Sequence, residues 1–180
     1  MYYVPPPSPN NLYQGDVLGN TPVTIPSSEI QLFRPGNNPA VYSARDLPDA
    51  FNSGTELLIT EAYKTKVMIL SQTCDAQNRE FIVIAPIQPM SQVTNPDRRN
   101  AIVEGKVNYR FWLPACDVLE ESFVELTILN SVPKALVGVE NRILTLSDGA
   151  RHGLTDVLHR FFCRPLFFTP DQLGSSSSGT

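Results

Sequence analysis

Lys66-Val67-Met68-Ile69-Leu70-Ser71-Gln72-Thr73-Cys74-Asp75-Ala76-Gln77-Asn78-Arg79-Glu80-Phe81-Ile82-Val83-Ile84-Ala85-Pro86-Ile87 is the stretch that decides the fold. Val67–Leu70 and Phe81–Ala85 are short apolar runs rich in β-branched residues, and the polar residues between them read as a connection joining two neighbouring strands. Such a connection on a rigid base is a favoured place for binding and reactive groups.

Working outward, the 180 residues suit one domain, and 42% hydrophobic content with nine Phe and six Tyr is that of a folded core. Sixteen Pro against ten Gly disfavours long helices and central strands, so short elements joined by fixed turns are expected. Ordered structure is expected to begin at Leu12–Leu18, where a Gly-Asp pair precedes a short apolar segment, and Thr55–Thr60, Val107–Leu113, Phe123–Ile128 and Asn141–Leu146 read as further strands. In Phe123–Ile128, Val124, Leu126 and Ile128 share one face, opposite Glu125 and Thr127. Asp46–Phe51 suits one helical turn, and Asn95 or Asp97 starts a short helix or loop. The clearest helix is about 148–162: Ser147 caps it, Asp148 suits its first turn, and Leu154, Val157, Leu158, Phe161 and Phe162 form its apolar face. Residues 1–11 are expected to be an extended proline-rich arm outside the core, 12–168 one β-barrel domain, and 169–180 a disordered tail.

The net charge of −4 supplies no global attraction to nucleic acid or anionic membrane. Local basic candidates are Arg98 with Arg99, Lys106 with Arg110, and Arg151 with Arg160 and Arg164. No apolar run approaches the roughly 20 residues of a spanning helix, and the first residues lack a secretory pattern. Cys74, Cys116 and Cys163 are dispersed, which suits a reducing compartment, and a cytoplasmic location is expected. They have no repeated metal spacing, and His152 and His159 lie two helical turns apart, so neither a metal nor a cofactor is expected. No P-loop, dinucleotide fingerprint or zinc-protease motif occurs.

Cys74 beside Asp75 is the first reactive candidate, and a Cys74, His152, Asp156 constellation would make a cysteine-dependent hydrolase if the chain folded His152 back. The competing structural reading has Thr73 and Asp75 holding the turn while Cys74 points into the core. Arg151, His152, Asp156, His159 and Arg160 form either a hydrogen-bonding helix face or an ordinary solvated one.

Gln14-Gly15-Asp16-Val17, Val67-Met68-Ile69-Leu70-Ser71, Asn78 with Val83-Ile84-Ala85-Pro86-Ile87, and Arg142–Ser147 followed by a helix together resemble the MazF/PemK-like toxin family over about two thirds of the chain. The resemblance implies an SH3-like, partly open antiparallel β-barrel with a C-terminal α-helix, found in bacterial toxin–antitoxin systems and phages, and barrels that often dimerise. Active members are endoribonucleases using an arginine before the first core strand and a hydroxyl residue after the second. Lys64, Thr65 or Lys66 stands at the first place here, and Gln88 at the second. Lysine lacks the bidentate guanidinium fork and Gln88 lacks a hydroxyl. Ser71-Gln72-Thr73-Cys74-Asp75 also looks like a signature of uncharacterised bacterial and phage proteins.

These readings lead to a non-catalytic binding module, with a protein or single-stranded RNA partner and a possible homodimer. Gln72, Gln88 and Arg110 are its expected ligand contacts. The alternatives are an endoribonuclease with rearranged groups drawn from Lys66, Thr73 and Asp75, and the Cys74 hydrolase.

Overall fold

The structure is a computed structural model that describes residues 1–24, 29–33, 40–43, 57–59 and 61–163. Eleven strands and three α-helices occur among them: β1 Tyr3–Val4, β2 Asp16–Thr24, β3 Glu29–Phe33, β4 Ala40–Ser43, β5 Leu57–Ile59, β6 Ala62–Ile69, α1 Thr73–Asn78, β7 Phe81–Pro89, α2 Pro96–Val103, β8 Arg110–Leu113, β9 Ser122–Glu125, β10 Asn130–Pro133, β11 Arg142–Leu146 and α3 Asp148–Phe162. An eight-stranded sheet runs β1-β11-β2-β6-β7-β9-β8, with β10 also on β7, and β4-β3-β5 form a three-stranded sheet. All the pairings are antiparallel. The expected turn at Asp46–Phe51 and the expected tail at 169–180 lie outside the described residues.

Both apolar runs of the central hairpin are strands, and their continuity has a cause. Val67, Ile69, Ile82 and Ile84 belong to one buried cluster, while Met68, Leu70, Ala85 and Ile87 belong to another. Because side chains alternate across a strand, the Val67–Ile69 part of β6 and the Ile82–Ile87 part of β7 are covered on both faces. The first cluster is covered partly by Ala76 of α1 and by Val132 and Val137. The second includes Leu113, Val124 and Leu126, together with Leu154 and Val157 of α3.

Pro86 explains how β7 turns from one neighbour to another. Lacking an N–H, a proline leaves a gap in the ladder. On one edge of β7, pairing with β10 stops at Ile84 and pairing with β9 begins at Ile87. A second irregularity lies in β2, where the register with β6 shifts between Leu18 and Thr21, and Asn20 takes a positive φ of 53°. This bulge changes the phase of the strand: Leu18 and Val23, of opposite parity, reach the same cluster.

The helix ends follow their caps. Ser147 Oγ accepts from Ala150 N at 3.3 Å, and Asn95 Oδ1 accepts from Arg98 N at 3.0 Å. Phe162, expected on the buried stripe, is 61% exposed. At 3.6 residues per turn it falls about 80° around the helix from Leu154, whereas Phe161 returns to within about 20°. Phe123–Ile128 also differs from expectation. β9 stops at Glu125, and Glu125 is buried because Arg110 covers it, their Oε2 and Nε atoms 2.9 Å apart.

The arm expected outside the core is partly built into the sheet. Tyr3 and Val4 pair with Leu146 and Thr145, and Tyr2 and Tyr3 pack on the α3-side core. The hydroxyls of Tyr2 and Tyr3 donate to Trp112 O at 2.8 Å and to Pro114 O at 2.7 Å. β1 and β8 are the two ends of the sheet, so no backbone ladder closes it; tyrosine side chains reach across instead. Pro5 ends β1, since Pro5 and Pro6 have no N–H to extend the ladder.

Candidate functional site

The sequence-predicted residues are not gathered into one place. Thr73, Cys74 and Asp75 lie on α1, whose Ala76 packs on the Val67 and Ile69 face of the sheet. Lys66 has the parity of Met68 and so belongs to the opposite face. Gln88 has the parity of Ile84 and faces away from Lys66. Its neighbour Ile87, in contrast, packs in the cluster containing Met68.

Each of these residues has its own local role. Thr73 Oγ1 accepts from Gln14 N at 3.3 Å, and Asp75 pairs with Arg79 at 3.3 Å on the exposed side of α1. Cys74 is exposed rather than turned into the core, because Ala76 is the residue of this short helix that packs inward. Its thiol contacts Gln72 Oε1 at 3.9 Å. His152, Asp156 and His159 are exposed on α3, and among the described residues no hydrogen bond joins Cys74 to either histidine. Arg110 is held by Glu125 and stacks over Phe123, 4.4 Å from the ring centre, while Thr127 donates to the other Glu125 oxygen at 2.6 Å. Among the described residues, no three His, Cys, Asp or Glu side chains meet in a way that would hold a metal ion.

Among the described residues, four of the basic candidates read from the sequence are ion-paired. Arg99 pairs with Glu121, Lys106 with Glu104, Arg110 with Glu125 and Arg151 with Asp148. A deeper pair joins Arg142 Nη1 to Asp16 Oδ2 at 3.1 Å, with side chains 7% and 0% exposed. Thr145 Oγ1 donates to Asp16 Oδ1 at 2.8 Å and Tyr13 N to Oδ2 at 2.9 Å. Burial raises the Asp16 pKa above its ordinary value, and these three donors oppose that rise. Arg142 also donates to the carbonyls of Ser8, Pro9 and Asn11. Gly15 stands beside this cluster at φ +84°, and a Cβ there would lie 2.9 Å from Leu146 Cδ1. The Gln14-Gly15-Asp16 motif is therefore a structural latch.

Two lysines have a different setting. Lys64 and Lys66, spaced i, i+2 on one face of β6, have Cα atoms about 6.6 Å apart. They overlook a groove of about 390 Å³. Ile87 and Pro89 of β7 and Ser122 of β9 line it, with Asn20 from the β2 bulge and Glu120 completing the surround. The groove is the open lip of the α3-side core: beyond Met68 the apolar face of β6 gives way to lysine. Among the described residues neither lysine has an ion-pair partner, so the arrangement supplies two adjacent cations over Ile87 and Pro89, with one carboxylate, Glu120, on the rim of the same groove. Sequence reading named Lys64 and Lys66 but missed Asn20, Glu120 and Ser122; the Lys-Thr-Lys alternation at the start of the strand was the available signal.

Fold and site define a mainly antiparallel β protein with a packed C-terminal helix and a cationic groove on the lip of its sheet. No family model matches the chain, and no curated protein matches it. Among the described residues, no helix is long and apolar enough to cross a membrane.

Proposed function

We propose that this chain is a non-catalytic binding module on an SH3-like, partly open barrel related to the MazF/PemK-like toxins, and that the Lys64–Lys66 groove takes an anionic extended partner. Single-stranded RNA is the partner of this class that the resemblance implies. The observation carrying the reading is the pair of lysines set side by side over a groove, while most of the described arginines are ion-paired within the chain. Two lysines about 6.6 Å apart suit a ligand with repeating negative charge, and each charge-assisted bond adds about 1.5–3 kcal/mol.

The endoribonuclease alternative needs Lys66 to act with Thr73 or Asp75. Those residues lie across the sheet from it, which favours binding without cleavage. The hydrolase alternative needs a base at Cys74, whose contact is an amide oxygen.

Fluorescence anisotropy with a short single-stranded RNA tests the proposal. Binding that weakens as salt rises and falls at least about tenfold in Lys64→Ala/Lys66→Ala is expected. Binding unchanged in that variant contradicts the site. Cleavage of the RNA, abolished by Lys66→Ala, would replace the module with the endoribonuclease.

A further inference from the structure

The Lys64–Lys66 groove has two unlike walls. Lys64 and Lys66 stand on β6, whereas Ser122 and Glu120 belong to β9 and the segment that leads into it. β7 runs between them: Pro89 pairs with Ser122 on its β9 side, and Pro86 pairs with Val67, the neighbour of Lys66, on its β6 side. With neighbouring strands about 4.8 Å apart, the two walls are separated by about 10 Å of floor, which Ile87 and Pro89 supply. Among the described residues no ion pair joins Glu120 to either lysine.

Two adjacent glutamates are used differently. Glu121 accepts from Trp112 Nε1 at 3.1 Å and pairs with Arg99 at 3.5 Å. Glu120 has no such partner among the described residues, and it is exposed on the groove. Its main chain is nonetheless pinned. Ser122 Oγ donates to Glu120 O at 2.7 Å, Met90 N donates to Glu121 O at 2.8 Å, and the preceding Leu119 is buried and bridged to Cys116. A carboxylate held at a fixed place on a cationic groove weakens the attraction for a plain polyanion. It suits a ligand that brings N–H donors together with its negative charge.

We infer that Glu120 selects guanine in single-stranded RNA bound along this groove. The assignment rests on the Lys64–Lys66 groove being the RNA site: the lysines take backbone phosphates, a base lies across Ile87 and Pro89, and its Watson–Crick edge meets the carboxylate. A carboxylate accepts two parallel N–H bonds at once. Guanine presents such a pair, N1–H beside the N2 amine. Cytosine and adenine each offer one amine beside an acceptor nitrogen, and uracil sets its single N–H between two carbonyls. In all three an electron-rich atom faces the second carboxylate oxygen. A bidentate contact of this kind discriminates by about tenfold against the wrong base.

Fluorescence anisotropy with the full chain and two short oligouridylates, one carrying a single central guanosine, tests the assignment. The guanosine-bearing oligonucleotide is expected to bind about tenfold more tightly, and inosine in its place, which lacks the N2 amine, to lose most of that gain. Glu120→Ala keeps the main-chain bond from Ser122 and removes only an exposed side chain. It should abolish the difference between the two oligonucleotides while tightening the plain oligouridylate, because a like charge has left the groove. Lysine-dependent binding of both oligonucleotides with equal affinity overturns guanine selection and leaves the RNA groove standing. A guanosine preference that survives Glu120→Ala, or a preference for another base in the central position, overturns it as well. Failure of both oligonucleotides to bind removes the RNA groove and guanine selection together.

Discussion

The Asp16–Arg142 latch and the Lys64–Lys66 groove are two concentrations of charge built on neighbouring strands, and they do opposite things. In the latch the charges meet partners: the carboxylate receives a guanidinium, a hydroxyl and a backbone N–H, and Nη1 and Nη2 of the guanidinium also donate to carbonyls of the N-terminal segment. In the groove the two lysines stand over Ile87 and Pro89 at the edge of the core. The contrast separates charge that holds the chain from charge left at the surface, which the proposed function assigns to an anionic partner. A buried pair contributes its worth only while both members are present, whereas surface cations can change without disturbing the fold.

The largest effect is expected from breaking the latch. Arg142→Ala leaves the Asp16 carboxylate buried without its cation and releases three carbonyls, costing about 3–5 kcal/mol in a urea unfolding titration. Arg142→Ala combined with Asp16→Asn should lose less than the single change, because the uncompensated charge is gone. A smaller cost is expected from Gly15→Ala. The left-handed conformation alone costs about 1–2 kcal/mol, and the new methyl group meets Leu146. The same titration measures it.

The latch also carries a pH signature. The unfolded chain releases the Asp16 proton near the ordinary value of 3.8, whereas the folded chain holds it to higher pH. The contribution of Asp16 to stability is therefore full below 3.8 and falls as pH rises through the elevated folded-state value. Stability measured against pH, with Asp16→Asn subtracted, should show that fall; a difference that rises over the same range contradicts the account. The smallest stability effect belongs to the groove. Lys64→Glu/Lys66→Glu should move unfolding by no more than about 0.5 kcal/mol while abolishing RNA binding.

Much of the frame was legible from local signals. The β6–β7 hairpin follows from its two apolar runs, and the starts of α2 and α3 follow from Asn95 and Ser147, because each depends on residues within a turn of one another. What escaped depended on distance. β1 is a two-residue strand whose partner, β11, lies more than 130 positions along the chain, and a proline-rich segment carries no periodicity to announce it. Cys74 drew attention as a residue beside a carboxylate, yet a six-residue helix turns it outward and gives the inward place to Ala76. The groove was half visible in Lys64-Thr65-Lys66. Its remaining wall needed the β2 bulge at Asn20 and the partner switch at Pro86, which set Ser122 beside Pro89.

The most direct test of the division between latch and groove is residue-resolved NMR, following backbone amides while a short single-stranded RNA is titrated into the intact chain. The account predicts that shifts concentrate at Lys64, Thr65, Lys66, Ile87 and Ser122, with the amides of Asp16, Arg142 and Cys74 left in place. Shifts centred instead on α1 around Cys74 and Asp75, or on the Arg98–Lys106 stretch, would contradict it.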